Sequence, residues 1–417
     1  MNCKHLIIGA GPAALAAAQA IRTNDKSAEI TLVTREETLP YSPAVLPYLL
    51  SQELTETELF SKGQELLAAL DVKLIRGKEV TTLLHETSEV RFSDGTRAAY
   101  DKLLIASGAR PQVPPIEHLA PDQIYTFRTY ADFARLQKTL EKKQTIAIYG
   151  AGLVAVEAAE KLCEAGHKVI IIARSSLLRK YFSSNHVSVL EQAFQKHGAT
   201  ILANTTLNAV KLTGNQLELV INSGDKLVVD RLIVATGVAA NLVANTEIPV
   251  VEGGLQVNHH MQTNLPNVYA AGDVAAAPSF FDGRHAPCPI LPEAVFQGTV
   301  AGANMAGKKM EYAGWIPGNY LRCFDENLFS IGLTGPQAEA GYQTLEKQSG
   351  NTSLKLLFQD EYLVGSEALN LKNIHPGVFL NLIRNRIPVR QYQELLLAKP
   401  RETACWIMLR QGKQKAV

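Results

Sequence analysis

The residues of this chain best suited to chemistry are small ones placed at strand ends. Lys4-His5-Leu6-Ile7-Ile8 runs into Gly9-Ala10-Gly11-Pro12-Ala13-Ala14, and Thr145-Ile146-Ala147-Ile148-Tyr149 runs into Gly150-Ala151-Gly152-Leu153-Val154-Ala155. In each GxGxxA stretch the first glycine makes a tight turn and the second lets backbone approach a pyrophosphate. The alanine lets the following helix pack closely on the strand. The free amides and dipole at the helix start favour the phosphate charge. One such stretch is weak, because glycine turns also serve plain strand-to-helix corners. Two of them, about 140 residues apart and each set between strands, predict two bound dinucleotides.

The elements needed to hold these turns are legible around them. Glu29-Ile30-Thr31-Leu32-Val33 and Lys168-Val169-Ile170-Ile171-Ile172 read as the second strand of each unit. Tyr100 to Pro111 closes the first unit through Ala106-Ser107-Gly108-Ala109-Arg110, and Asp230 to Gly237 closes the second through Ala235-Thr236-Gly237. Val113-Pro114-Pro115 reads as an entry linker, since consecutive prolines stop a helix from crossing it.

Composition sets the frame. With 417 residues, 46% of them hydrophobic, the chain can bury two or three cores. Lys and Arg number 41 against 40 Asp and Glu, so no charge excess marks a nucleic-acid or anionic-membrane partner. The N-terminal apolar run is too short for a signal peptide, and far short of the roughly 20 residues that span a bilayer. A cytoplasmic protein with no transmembrane segment is expected. Cys3, Cys163, Cys288, Cys323 and Cys405 lie far apart without dithiol, cluster or metal spacing. His259-His260 lacks a third ligand, so no metal site is expected. In the tail, Cys405-Trp406-Ile407-Met408-Leu409-Arg410 reads as ordinary packing of the last element.

Thr263-Asn264-Leu265-Pro266-Asn267-Val268-Tyr269-Ala270-Ala271-Gly272-Asp273 carries an AGD segment behind the second unit. On these motifs, in this order, the chain resembles the FAD-dependent pyridine nucleotide-disulfide reductase superfamily over about residues 1 to 310. The resemblance implies an α/β fold with two Rossmann-like dinucleotide-binding domains, the FAD domain split by an inserted NAD(P) domain, and a small C-terminal α/β domain. The expected segments are 1–113 and 239–311 for FAD, 114–238 for NAD(P), and 312–417 for the last domain. FAD then falls to Gly9, Gly11, Pro12, Ala13, Ala14, Ala106, Ser107, Gly108, Arg110, Pro43, Gly272, Asp273 and Gln297. The nicotinamide dinucleotide falls to Gly150, Gly152, Leu153, Val154, Ala235, Thr236 and Gly237.

Thiol-using members of the superfamily carry a cysteine two residues before a Leu-Pro pair. Here Tyr41-Ser42-Pro43-Ala44-Val45-Leu46-Pro47-Tyr48 places Ala44 at that position. A methyl group forms no thiolate, sulfenic acid or mixed disulfide, so disulfide reduction is closed. Flavin alone still converts a two-electron hydride into single electrons for iron–sulfur acceptors. The thiol-free branch comprises ferredoxin and rubredoxin reductases and the FAD subunits of multisubunit oxidoreductases. The chain looks most similar to the last group, exemplified by those of phenylglyoxylate dehydrogenase and tungsten aldehyde oxidoreductase. The expected function is an FAD-containing NAD(P)H:acceptor subunit paired with an iron–sulfur protein or subunit. A free-standing ferredoxin or rubredoxin reductase and a flavin-holding scaffold are the alternatives.

By the same resemblance, Glu157 matches a glutamate beside the flavin and nicotinamide, and Tyr48 stands where relatives often carry a lysine. After Val33, Arg35 and Glu36 are the expected FAD ribose contacts. After Ile172, Arg174 with Ser175 and Ser176 offers no acid for a ribose and suits a 2′-phosphate. The resemblance points to NAD, which is the nucleotide expected, with NADP left open.

Overall fold

A strand that ends in a glycine turn leaves its last carbonyls and the next helix's first amides at one edge of a sheet, and both halves of this protein are organised around such an edge. The structure is a computed structural model that describes residues 2–118, 120, 123–141, 143–244, 246–335 and 341–414. It divides into two units, Met1–Gln112 with Phe127–Gln137 and Gly237–Trp315, and Val113–Thr126 with Lys138–Thr236 and Ile316–Val417. The chain enters the second unit at Val113, where the proline pair stands. Residues 127–137 return to the first unit, and Ile316–Val417 falls in the second.

In the first unit, Asn2–Ile8 lies between Ile30–Val33 and Arg97–Ile105, parallel to both, and Val268–Ala270 extends the parallel set. Leu6, Ile7 and Leu104 are completely buried, as strands covered on both faces require. Four helices position the site: α1 (Pro12–Asn24), α2 (Leu153–Glu164), α3 (Ser184–Lys196) and α4 (Leu291–Met305). Helix α1 presents Ala13, Ala14, Ala17 and Ala18 to the interior. Against it α4 sets Gly298 and Gly302, where an added Cβ would come within 2.2 Å of the Ala13 and Ala17 carbonyl oxygens. The two backbones therefore touch directly, and α1 is fixed to the core by the absence of side chains.

In the second unit the parallel order is Thr200–Leu202, Lys168–Ile172, Thr145–Tyr149, Arg231–Val234 and Ile124–Tyr125. A three-stranded antiparallel sheet, Leu207–Thr213, Gln216–Ile221 and Lys226–Val229, contributes apolar residues to the same core. The C-terminal part is a five-stranded antiparallel sheet containing Glu326–Gly332 and Thr352–Gln359. Polar bonds join it to the helices beside the parallel sheet of the same unit. Glu160 of α2 accepts from the Phe324 amide, and His186 of α3 lies between Glu367 and Ser353. Glu367 also accepts from the Ser183 amide and hydroxyl, each at 2.7 Å.

Candidate functional site

Gly9 sits at φ +115°, and a Cβ there would lie 2.2 Å from the Ala106 carbonyl oxygen. Its amide donates to Val33 at 2.8 Å, so the turn is threaded tightly between neighbouring strands. Gly11 is different. It caps α1 with no side-chain cap and no acid in the first turn, and nothing lies within 4 Å of where its Cβ would stand. An open cradle of unpaired amides at a helix start fits a pyrophosphate. Ala14 is completely buried, and Pro12 opens the helix without needing an amide.

Gly272, at φ +78°, brings the AGD turn onto Ala13, whose Cβ would be 3.0 Å from an added one. Asp273 is therefore held near the α1 cradle. Its carboxylate takes a 2.6 Å ion pair from Arg128, whose Nε also donates to the Ala109 carbonyl at 3.3 Å. Gly108 lies against the same guanidinium, 3.7 Å from an added Cβ. Arg128 thus links the closing turn of the first unit to the AGD turn. Sequence reasoning missed it; the local signal, Thr129 and Asp132 bonded as a helix start, says nothing of Asp273.

Several of the expected contact residues also make hydrogen bonds within the chain. Gln297 is fully buried: its Oε1 accepts from the Gly272 amide at 2.9 Å and its Nε2 donates to the Tyr312 hydroxyl at 3.3 Å. It positions the AGD turn. The Ser107 hydroxyl donates to Asn241 O at 2.6 Å, and Arg110 donates to Ala240 O at 3.1 Å. Both side chains brace the ribbon of Ala109–Pro111 and Val238–Ala240. Glu36 accepts from the Tyr41 hydroxyl at 2.7 Å, which in turn accepts from the Tyr130 amide, while exposed Arg35 lies 3.9 Å from Glu79. Burial and the Glu36 charge push the Tyr41 phenol far up, so it stays a donor.

Tyr41 anchors the thiol-free segment. Pro43–Val45 is a single 3-10 turn with Ala44 exposed, followed by Pro47–Leu50, where Leu49 is buried and Tyr48 half-buried. Cys288 feels the Glu293 and Asp273 charges, yet burial, foremost, and those charges push its thiol far up. Cys163 is pushed up to about 12 by burial and by Glu160 and Glu164. Both are therefore protonated and poor nucleophiles at neutral pH. The His259 and His260 rings bond backbone carbonyls at 2.7 and 2.9 Å. Among the described residues no group of three metal-binding side chains occurs, and no helix is long and apolar enough to cross a membrane.

The second unit repeats the first cradle. Gly150, at φ +149°, leaves 2.2 Å between an added Cβ and Ala235 O, whereas Gly152, capping α2, meets nothing within 4 Å. Leu153 is half-buried and Val154 exposed beside it. Thr236 is exposed at the closing strand's end, and Gly237, at φ +126°, belongs to the first unit. Arg174 is exposed just beyond Lys168–Ile172.

Glu157, in the second turn of α2, is pushed up to about 7 by burial first and then by Glu160, against Lys161. The unfolded carboxyl ionises near 4.5. Between these values the folded chain binds more protons than the unfolded one, so rising pH removes stability through that window. Glu157→Gln is expected to flatten the fall in melting temperature between about pH 5 and about pH 8. An unchanged pH profile would leave Glu157 an ordinary carboxylate.

Residues 3–303 match the family model of the pyridine nucleotide-disulphide oxidoreductases. The chain belongs to the pyridine nucleotide-disulphide oxidoreductase family. It is an NAD(P)H-dependent flavoprotein oxidoreductase, and both cradles have the form such cofactors need. Among curated members of this family, the NADH-dependent phenylglyoxylate dehydrogenase subunit epsilon of Aromatoleum evansii is 33% identical over 405 residues, covering 96% of each chain. The 3-phenylpropionate/cinnamic acid dioxygenase ferredoxin–NAD(+) reductase component of Photorhabdus laumondii is 28% identical, covering 88% of this chain and 93% of its own. Among solved structures, an engineered water-forming NADPH oxidase, derived from the Lactobacillus brevis NADH oxidase, superposes with a TM-score of 0.86. It is 22% identical, with all of both chains covered.

Proposed function

We propose that this chain is the FAD-containing subunit of a multisubunit oxidoreductase, exchanging hydride with a nicotinamide dinucleotide and single electrons with an iron–sulfur partner. The observation that carries the reading is the pair of open cradles at Gly11 and Gly152 combined with Ala44 in the thiol position. Gly9, Gly11, Ala14 and the Gly272–Asp273 turn would hold FAD; Gly150 and Gly152 would hold the nucleotide. Bound FAD would supply the conversion between a two-electron and a one-electron couple. The chain's own residues would bind and orient: the α1 and α2 amides would face the phosphates, and Arg128 fixes Asp273 in place. Gln297 fixes the turn that carries it.

The epsilon-subunit relative, matched over nearly its whole length, supports the subunit role, and the ferredoxin–NAD(+) reductase component supports a one-electron partner. That second relative equally favours a free-standing ferredoxin reductase, which copurification of the native protein with or without other subunits separates. The engineered oxidase bears on the nucleotide. Its five substitutions include Ala, Arg and Ser in place of Asp, Ala and Met at consecutive positions, a further Arg downstream, and an Ala upstream. Ala173-Arg174-Ser175, Lys180 and Ala155 stand here at the same spacing.

Purifying the chain and adding NADPH or NADH without air tests this function. A yellow protein whose flavin absorbance bleaches supports it. Flavin that neither nucleotide reduces would leave only a structural role.

A further inference from the structure

We infer that the nucleotide of this chain is NADPH, its adenosine 2′-phosphate held by Arg174 with Ser175 and Lys180. This rests on the oxidoreductase reading and narrows it. A free ribose is usually fixed by a carboxylate at the end of the second strand, which accepts from both hydroxyls. From Ala173 to Ser183 there is no Asp or Glu, and the stretch contains Arg174, Arg179 and Lys180. All three are exposed, and none has an ion-pair partner among the described residues. Cations without partners at this place attract a phosphate and give a neutral ribose nothing to donate to.

The stretch is also held in position. Ala173 donates to Leu202 O and accepts from the Thr205 amide, each at 2.9 Å. Leu177 and Leu178 are buried, and the Leu178 amide donates 2.8 Å to Ala151 O, inside the second cradle. The Tyr181 and Phe182 amides return to Leu178 O, and the Thr334 hydroxyl bonds Tyr181 O at 3.2 Å. The loop is thereby tied to the turn that would hold the pyrophosphate, with its basic side chains left outside. A pre-formed cationic loop loses little order on binding, which favours affinity for the phosphate.

The test is calorimetric binding of adenosine 2′,5′-bisphosphate and of ADP to the purified holoprotein, alongside flavin reduction by NADPH and NADH. The expected result is tighter binding of the bisphosphate, weakening as salt rises, and lost at least about tenfold in Arg174→Ala. Binding of ADP should be unchanged in that variant. The double variant Ala173→Asp, Arg174→Ala should shift the preference in half-saturating concentration from NADPH to NADH. Equal affinity for the two ligands, or NADH preferred by the wild type, overturns the assignment. Nucleotide binding without any flavin reduction would instead overturn the oxidoreductase reading and leave the phosphate site standing.

Discussion

Gly11→Leu is expected to yield a folded but colourless protein. The glycine has nothing within 4 Å of its Cβ position, so the larger side chain costs the chain itself little. It projects, however, into the space above the first α1 amides, where the pyrophosphate must come close. Gly9→Ala provides the contrast. There the Cβ would overlap the Ala106 carbonyl at 2.2 Å and demand φ +115°, so this variant should lose the fold along with the flavin. Flavin absorbance and far-ultraviolet circular dichroism of both proteins separate the two effects. Retained flavin in Gly11→Leu would mean that the first cradle holds something else.

The second cradle should fail in its own way. Gly152 is as open as Gly11, and Gly152→Leu should keep FAD at full occupancy while flavin reduction by either nucleotide falls at least about a hundredfold. Dithionite should still bleach the variant, because the flavin itself is intact. Stopped-flow absorbance without air reads the rate. Near-normal reduction would show that nucleotide does not enter at α2, and parallel loss of FAD would show that the two cradles are not separable.

The parts of this site that were legible in the sequence are those set by backbone. A turn at positive φ between a buried strand and a helix admits few residues, so Gly9 and Gly150 announce themselves, and the bare helix starts follow from Gly11 and Gly152. Residues whose partners are distant in sequence were not legible. Arg128 meets Asp273 across 145 positions, and His186 meets Glu367 across 181, with no local pattern marking either pair. Nor does a motif record the tertiary partners of the side chains beside it. Ser107, Arg110 and Gln297 sit at the expected places, but tertiary hydrogen bonds to Asn241, Ala240, Gly272 and Tyr312 engage them. The return of residues 127–137 to the first unit was also hidden, because a short amphipathic helix carries no record of which core it joins.

On the proposed function, electrons leave this protein one at a time, without a thiol, toward an iron–sulfur partner. This is tested most directly by reducing the holoprotein with nucleotide in the absence of air and mixing it, in separate runs, with a ferredoxin-type protein and with oxygenated buffer. Rapid reoxidation by the cluster protein and slow reoxidation by oxygen are predicted. The rates should be the same in Cys288→Ser, whose thiol is held protonated beside Asp273 and Glu293. Fast oxidation by oxygen that added cluster protein does not accelerate, or a collapse of cluster reduction in Cys288→Ser, would contradict it.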